Sequence, residues 1–93
     1  MEVKNIVTDK KCFFYLEENG KRIATMVYSF AGDSKFIIEH TEVATSHEGK
    51  GLGKLLVKAA VEFAREKNFK IIPLCPYAKH IIDKTPEYQD VLS

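Results

Sequence analysis

Glu48-Gly49-Lys50-Gly51-Leu52-Gly53-Lys54-Leu55-Leu56 is the stretch that decides how this 93-residue chain is read. Up to Glu48 the apolar residues alternate or cluster as in strands. From Leu52 they fall at Leu52, Leu55, Leu56, Ala59 and Phe63, which is helical spacing. The change of period, punctuated by three glycines, predicts a sheet strand handing over to a long helix. Lys67-Asn68 is a plausible helix end, giving a helix of about 16 residues, ~24 Å long, enough to lie along a sheet.

Upstream of the glycines, Val3 to Val7 reads as a short strand and Cys12-Phe13-Phe14-Tyr15-Leu16 as a second. Glu18-Asn19-Gly20-Lys21 carries the Asn-Gly signal of a tight hairpin. Ile23 to Phe30 is a third strand, with Ile23, Thr25 and Val27 on one face and Ala24, Met26, Tyr28 and Phe30 on the other. Gly32-Asp33-Ser34 turns the chain into a fourth, Phe36 to Val43, with Phe36, Ile38 and His40 expected on a common face. Short turns between consecutive strands predict an antiparallel meander.

Downstream, Phe69-Lys70-Ile71-Ile72 looks like a short buried strand, and Pro73 and Pro76 bracket Leu74 and Cys75. Strand, helix, strand in this order is a crossover, so the last strand is expected parallel to the fourth. Tyr77 to Asp83 is a short helix with Ile81 and Ile82 inward, and a tail follows Pro86. The predicted fold class is α/β (α+β): a mostly antiparallel sheet with one parallel pair, one long helix and a short C-terminal helix, in a single domain over residues 1–93.

The glycine segment also carries the expected chemistry. Without a Cβ, the backbone can approach a ligand closely and take positive φ. The first N–H groups of a helix have no internal partners, and the helix dipole adds positive charge there. Together they make an anion site suited to phosphate or diphosphate, with Lys50 and Lys54 adding charge. The segment is neither a P-loop nor a dinucleotide fingerprint, since Glu48 and Leu55 break the first and Leu52-Gly53-Lys54 breaks the second.

Glu48-Gly49-Lys50-Gly51-Leu52-Gly53, placed between an antiparallel strand and a long helix, resembles the Gln/Arg-x-x-Gly-x-Gly/Ala motif of the GNAT acyl-CoA N-acyltransferase superfamily. The chain is most similar to a group of very short GNAT-like proteins, also at Ile38-Glu39-His40-Thr41-Glu42-Val43 and Ile72-Pro73-Leu74-Cys75-Pro76-Tyr77. The resemblance runs from about Tyr15 to Leu92. It implies that acetyl-CoA, or coenzyme A, is bound where the fourth and last strands splay apart. Main-chain groups of Glu42, Val43 and Ala44 would hold the pantetheine arm, and the N–H groups of Glu48, Gly49, Lys50, Gly51, Leu52, Gly53 and Lys54 the diphosphate. The thioester would lie near Cys75. Tyr77 is a candidate to pack beside the cofactor and equally reads as an ordinary amphipathic residue at a helix start; Lys79 is a candidate for its 3′-phosphate, with a solvated lysine the favoured reading. Glu48 departs from the superfamily's Gln or Arg, and a carboxylate there repels a diphosphate unless it points to solvent.

The implied activity is acetyl transfer from acetyl-CoA to an unidentified amine acceptor. Cys75, between two prolines at a strand end, is the candidate nucleophile for a covalent variant, and His40 on the neighbouring strand is the candidate base that would stabilise its thiolate. Cys75 also reads as a small buried hydrophobe, and His40 as a satisfied histidine on the inner sheet face. In the direct version the amine attacks the thioester, with Glu39, Glu42 or His40 as base. Rival readings are a non-catalytic CoA-binding module and an interaction protein that has lost the cofactor.

Composition bounds the rest. Fourteen Lys+Arg against thirteen Asp+Glu leave a net charge of +1, which argues against a general nucleic-acid binder. No apolar run approaches the ~18 residues of a membrane span, and the N-terminus lacks a signal-peptide pattern. The expected setting is cytoplasmic, with Cys12 and Cys75 as reduced thiols and a monomer or weak homodimer as the state. Cys12, His40, His47, Cys75 and His80 show no metal-ligand spacing, so no metal is expected.

Overall fold

The computed structural model describes residues 2–93. Its strands are β1 (Lys4–Ile6), β2 (Cys12–Glu18), β3 (Lys21–Phe30), β4 (Lys35–Val43) and β5 (Lys70–Pro73), in the spatial order of the sequence. The first four form the expected meander, and β5 runs parallel to β4 from Lys35 opposite Lys70 to Ile38 opposite Pro73. The crossover helix is α1 (Leu52–Lys67), and a second helix, α2 (Pro76–Asp83), follows β5. Single 3₁₀ segments span Thr45–His47 and Pro86–Val91.

The β2–β3 hairpin closes on Asn19 and Gly20, both at positive φ (53° and 78°). This is the primed turn whose twist matches that of the strands. At the far end of α1, Asn68 takes a left-handed conformation and caps the helix by donating to Ala64 and Arg65.

One face of the sheet is packed and the other is open. Cys12, Phe14 and Leu16 of β2, Met26 and Tyr28 of β3, and Phe36 and Ile38 of β4 are buried beneath α1. Phe14 stacks on Tyr28 at 4.7 Å between centroids, and Phe63 of α1 meets both Phe14 and Phe36 edge-on or tilted. Burial of each large side chain of this kind contributes roughly 1.5–3 kcal/mol. The helix face that docks is Leu52, Leu56, Val57, Ala60, Val61 and Ala64. Leu55, expected in that stripe, lies at its edge and is exposed. Small residues at 60 and 64 bring the helix close to the sheet, and its contact face is centred one position away from Leu55.

Two bulges change which side chains share a face. Between the pairs Leu16–Ala24 and Glu17–Arg22, β3 carries one extra residue, so Ile23 and Ala24 are both buried. Between the pairs Tyr28–Ile38 and Val27–His40, β4 carries an extra residue at Glu39. A bulge of one residue inverts the alternation beyond it. His40 therefore does not share the inner face with Phe36 and Ile38, contrary to the strict alternation expected from sequence. It is exposed opposite Val27, and Thr41 takes the inward register.

Candidate functional site

The bulge coincides with the point where β4 and β5 part. Their pairing ends at Ile38 and Pro73, where the Ile38 carbonyl accepts from both Leu74 (3.1 Å) and Cys75 (3.0 Å). Beyond this fork, β4 continues to Val43 paired only with β3. Ala44 donates to Ile23 of β3 at 2.8 Å. By alternation along the strand, the main-chain groups of Val43 face the other way, toward the fork.

A cleft of about 520 Å³ opens there, lined by Val43, His47, Glu48, Gly49, Gly51, Leu52, Gly53, Lys54 and Tyr77. Its floor is the start of α1. Gly51 caps the helix in a left-handed conformation (φ 76°, ψ 17°) that an L side chain rarely adopts. No side chain caps this end. Leu55 makes the first main-chain bond, to the Gly51 carbonyl at 3.2 Å. Among the described residues, the N–H groups of Gly49 to Lys54 donate to no other main-chain carbonyl. They are donors without internal acceptors beside two lysines, which is what a diphosphate needs. Glu48, Lys50 and Lys54 are all exposed.

Tyr77 forms the cleft's opposite wall from the first turn of α2, its ring over Gly53. Partial burial first, and the Cys75 sulfur second, raise its phenol above the ordinary range, so it is a neutral O–H group. Lys79 is turned along α2 to Asp83, 3.0 Å away.

Cys75 precedes α2 as its N-terminal flanking residue and is buried, with its Sγ donating to Thr41 Oγ1 at 3.4 Å. His40 is on the open face of the sheet, where Nε2 lies 2.8 Å from Glu42 Oε1. The structure does not bring the expected Cys75–His40 pair together, and the physical reason is the bulge at Glu39. Glu39 is itself engaged by Lys11 and Ser29, and these bonds hold its carboxyl below the usual range. Among the described residues there is no cluster of three potential metal ligands, and both cysteines are free. No helix is long and apolar enough to cross a membrane.

Sequence reasoning assigns no part in the site to His47. Its side chain is only 14% exposed, lines the cleft and is bonded through Nε2 to Glu18, which lies outside the cleft lining. The one available signal was its place two residues before the first glycine.

The model of the GCN5-related N-acetyl-transferase family matches residues 12–91. The chain belongs to this family. Within it, the solution structure of a GCN5-like protein from Staphylococcus aureus is 39% identical, with a TM-score of 0.72, covering 97% of this chain and 87% of that one. Protein NATD1 of Xenopus tropicalis is 32% identical over 63 residues, covering 68% of this chain. That match takes in 58% of the Xenopus protein, so the chain spans less than two thirds of this relative's length. A GNAT family acetyltransferase from Elizabethkingia anophelis, solved with acetyl-CoA bound, has a TM-score of 0.64 over 81% of this chain and 52% of its own. At 16% identity that likeness shows the GNAT fold alone.

Proposed function

We propose that this protein binds acetyl-CoA in the cleft between β4 and α1 and transfers the acetyl group to an amine. The observation that carries the reading is the row of unpaired N–H groups from Gly49 to Lys54, at the mouth of a cleft that leads to the fork of β4 and β5. A diphosphate on those donors leaves the pantetheine arm to run beside Val43, as an added strand bonded to the free edge of β4. Glu42, Val43 and Ala44 provide that edge, and Tyr77 covers the arm. The thioester then reaches the fork near Cys75 and Thr41.

Direct attack is the version the geometry supports best. The amine nitrogen bonds to the thioester carbonyl carbon, the C–S bond breaks, coenzyme A leaves as the thiolate, and the proton lost by the amine passes through a base to that sulfur. His40 and Glu42, hydrogen-bonded to each other on the open sheet face beside the fork, are the base we favour. In the covalent version Cys75 carries the acetyl group, which its place beside the fork supports. That version must then use a base other than His40. The rival reading, a non-catalytic CoA-binding module, keeps the cleft and lacks the transfer.

Thiol release from acetyl-CoA against a panel of amines tests these readings. Turnover that survives Cys75→Ala and falls in His40→Ala supports direct attack. Loss in Cys75→Ala with acetyl-enzyme visible by mass spectrometry supports the covalent route. Tight cofactor binding with no turnover on any amine supports the module.

A further inference from the structure

His47 makes a contact at the rim of the cleft that acetyl transfer does not by itself require. Its Nε2 lies 2.9 Å from Glu18 Oε1, and its Nδ1 lies 2.8 Å from Ser46 Oγ. A carboxylate only accepts, so Nε2 carries the hydrogen. In the neutral ring, Nδ1 then accepts from the Ser46 hydroxyl. In the imidazolium, Nδ1–H donates to the same oxygen. Both bonds persist in either protonation state, so the ring is a fixed brace.

The brace joins two segments of different rigidity. Glu18 ends β2 beside the tight Asn19-Gly20 turn. His47 ends the 3₁₀ segment that feeds the glycines, which has no side-chain cap and no buried residue. Gly49 and Gly51 both sit at positive φ, with open space where a β-carbon would be. Glycine loses more freedom on ordering than any other residue, and nothing at these two positions packs to offset it. Among the described residues, the main chain anchors this segment only through Ala44 to Ile23, His47 to Ala44, a long 3.4 Å bond from Glu48 to Thr45 and, where α1 begins, Leu55 to Gly51.

We propose that His47, held by Glu18 and Ser46, is the positioning residue that orders the glycine loop before ligand arrives. The inference deepens the acetyl-CoA reading, because the loop it orders is the one assigned to the diphosphate. Its signature separates it from simple charge. Glu18 is an anion on the far side of the brace and does not line the cleft. By charge alone, removing it favours a bound diphosphate. If Glu18 works through His47, removing it weakens binding instead, because the bound geometry must then be ordered at the ligand's expense.

The test compares the wild type with His47→Ala, Glu18→Ala, their double variant and His47→Gln. Amide relaxation of residues 47–53 is measured in the free protein, and affinity by calorimetric titration with coenzyme A. Loop order is expected to fall alike in both single variants and no further in the double. His47→Gln, whose side-chain amide still donates to Glu18, is expected to restore it. Coenzyme A is expected to bind roughly five- to tenfold more weakly to each single variant. Unchanged loop order in His47→Ala, or tighter binding by Glu18→Ala, overturns the proposal. If the loop loosens in the variants while the wild type itself binds no coenzyme A, the brace stands and the cofactor reading fails.

Discussion

The ring of Tyr77 occupies the space that a side chain at position 53 would need: a β-carbon built on Gly53 falls 2.4 Å from the phenol oxygen and 2.6 Å from Cε2 and Cζ. Gly53 lies inside α1 with ordinary helical backbone, so the glycine there is explained by this close approach and not by positive φ. The pair fixes the width of the cleft, with the helix start on one side and the phenol on the other.

Gly53→Ala should therefore act on the ligand more than on the fold. Tyr77 is half-exposed at the end of a flexible side chain and can swing aside. Alanine is the better helix former by roughly 1 kcal/mol in a helix interior, which offsets part of the cost. The melting temperature is expected to change little while coenzyme A binds about fivefold more weakly, since the displaced ring enters the cleft. Adding Tyr77→Ala should remove the clash, so the double variant binds no worse than Tyr77→Ala alone. Melts and titrations on the three variants check this.

Glu48→Gln should tighten binding. The carboxylate lines the cleft that we assign to the diphosphate and is exposed. Between charges screened by solvent the repulsion is small, so the expected gain is about two- to fivefold at low salt, shrinking as salt is added. Titrations at two ionic strengths measure both the gain and its screening.

Much of this geometry is legible in the sequence. Asn19-Gly20 gives the β2–β3 hairpin, the switch from alternation to helical spacing at Leu52 gives the start of α1, and Asn68 gives its end, because Asn and Gly tolerate the left-handed backbone these turns need and apolar spacing sets the helical period. The parallel placement of β5 follows from crossover topology. The face of His40 does not follow. A bulge adds a residue without any residue type that marks it, and the extra position at Glu39 moves His40 to the open side. The brace at His47 was hidden for a different reason: its partner Glu18 is 29 residues away in sequence and meets it only once β2, β3 and β4 are stacked.

Tyr28 sets an alkaline limit on stability. Its ring is fully buried, and its hydroxyl donates to Asn5 Oδ1 at 2.6 Å. Burial pushes its pKa up from 10.0 to about 12. The folded state then holds the proton more tightly than the unfolded chain, so stability is full below the unfolded value and is lost as pH rises toward the folded one. Denaturant midpoints are expected to fall from about pH 10 to about pH 12, and the part due to this group should vanish in Tyr28→Phe.

The tail after α2 is held by two unequal devices. Arg65 grips Asp90 with two bonds, of 2.7 and 3.0 Å, and Lys70 donates to the Asp90 carbonyl. Arg65 holds the Asp90 carboxyl below its ordinary range, so its contribution is present near neutral pH and fades as pH falls through the lowered folded value. Val91 beside it is buried, and Ser93 donates to Ile71 at 2.9 Å. Asp90→Ala is expected to speed hydrogen exchange at Ser93 with little change in the global melt, since exposed pairs contribute little. Val91→Ala should cost of order 2 kcal/mol globally, from lost burial and the cavity left behind.

If the main-chain N–H groups at the start of α1 hold a diphosphate, an amide chemical-shift titration with coenzyme A will show it. Saturable shifts are expected at residues 48–54, with smaller ones at Val43 and Tyr77. A folded protein whose amides at 48–54 stay fixed at saturating coenzyme A, or whose shifts cluster on another face, would contradict it.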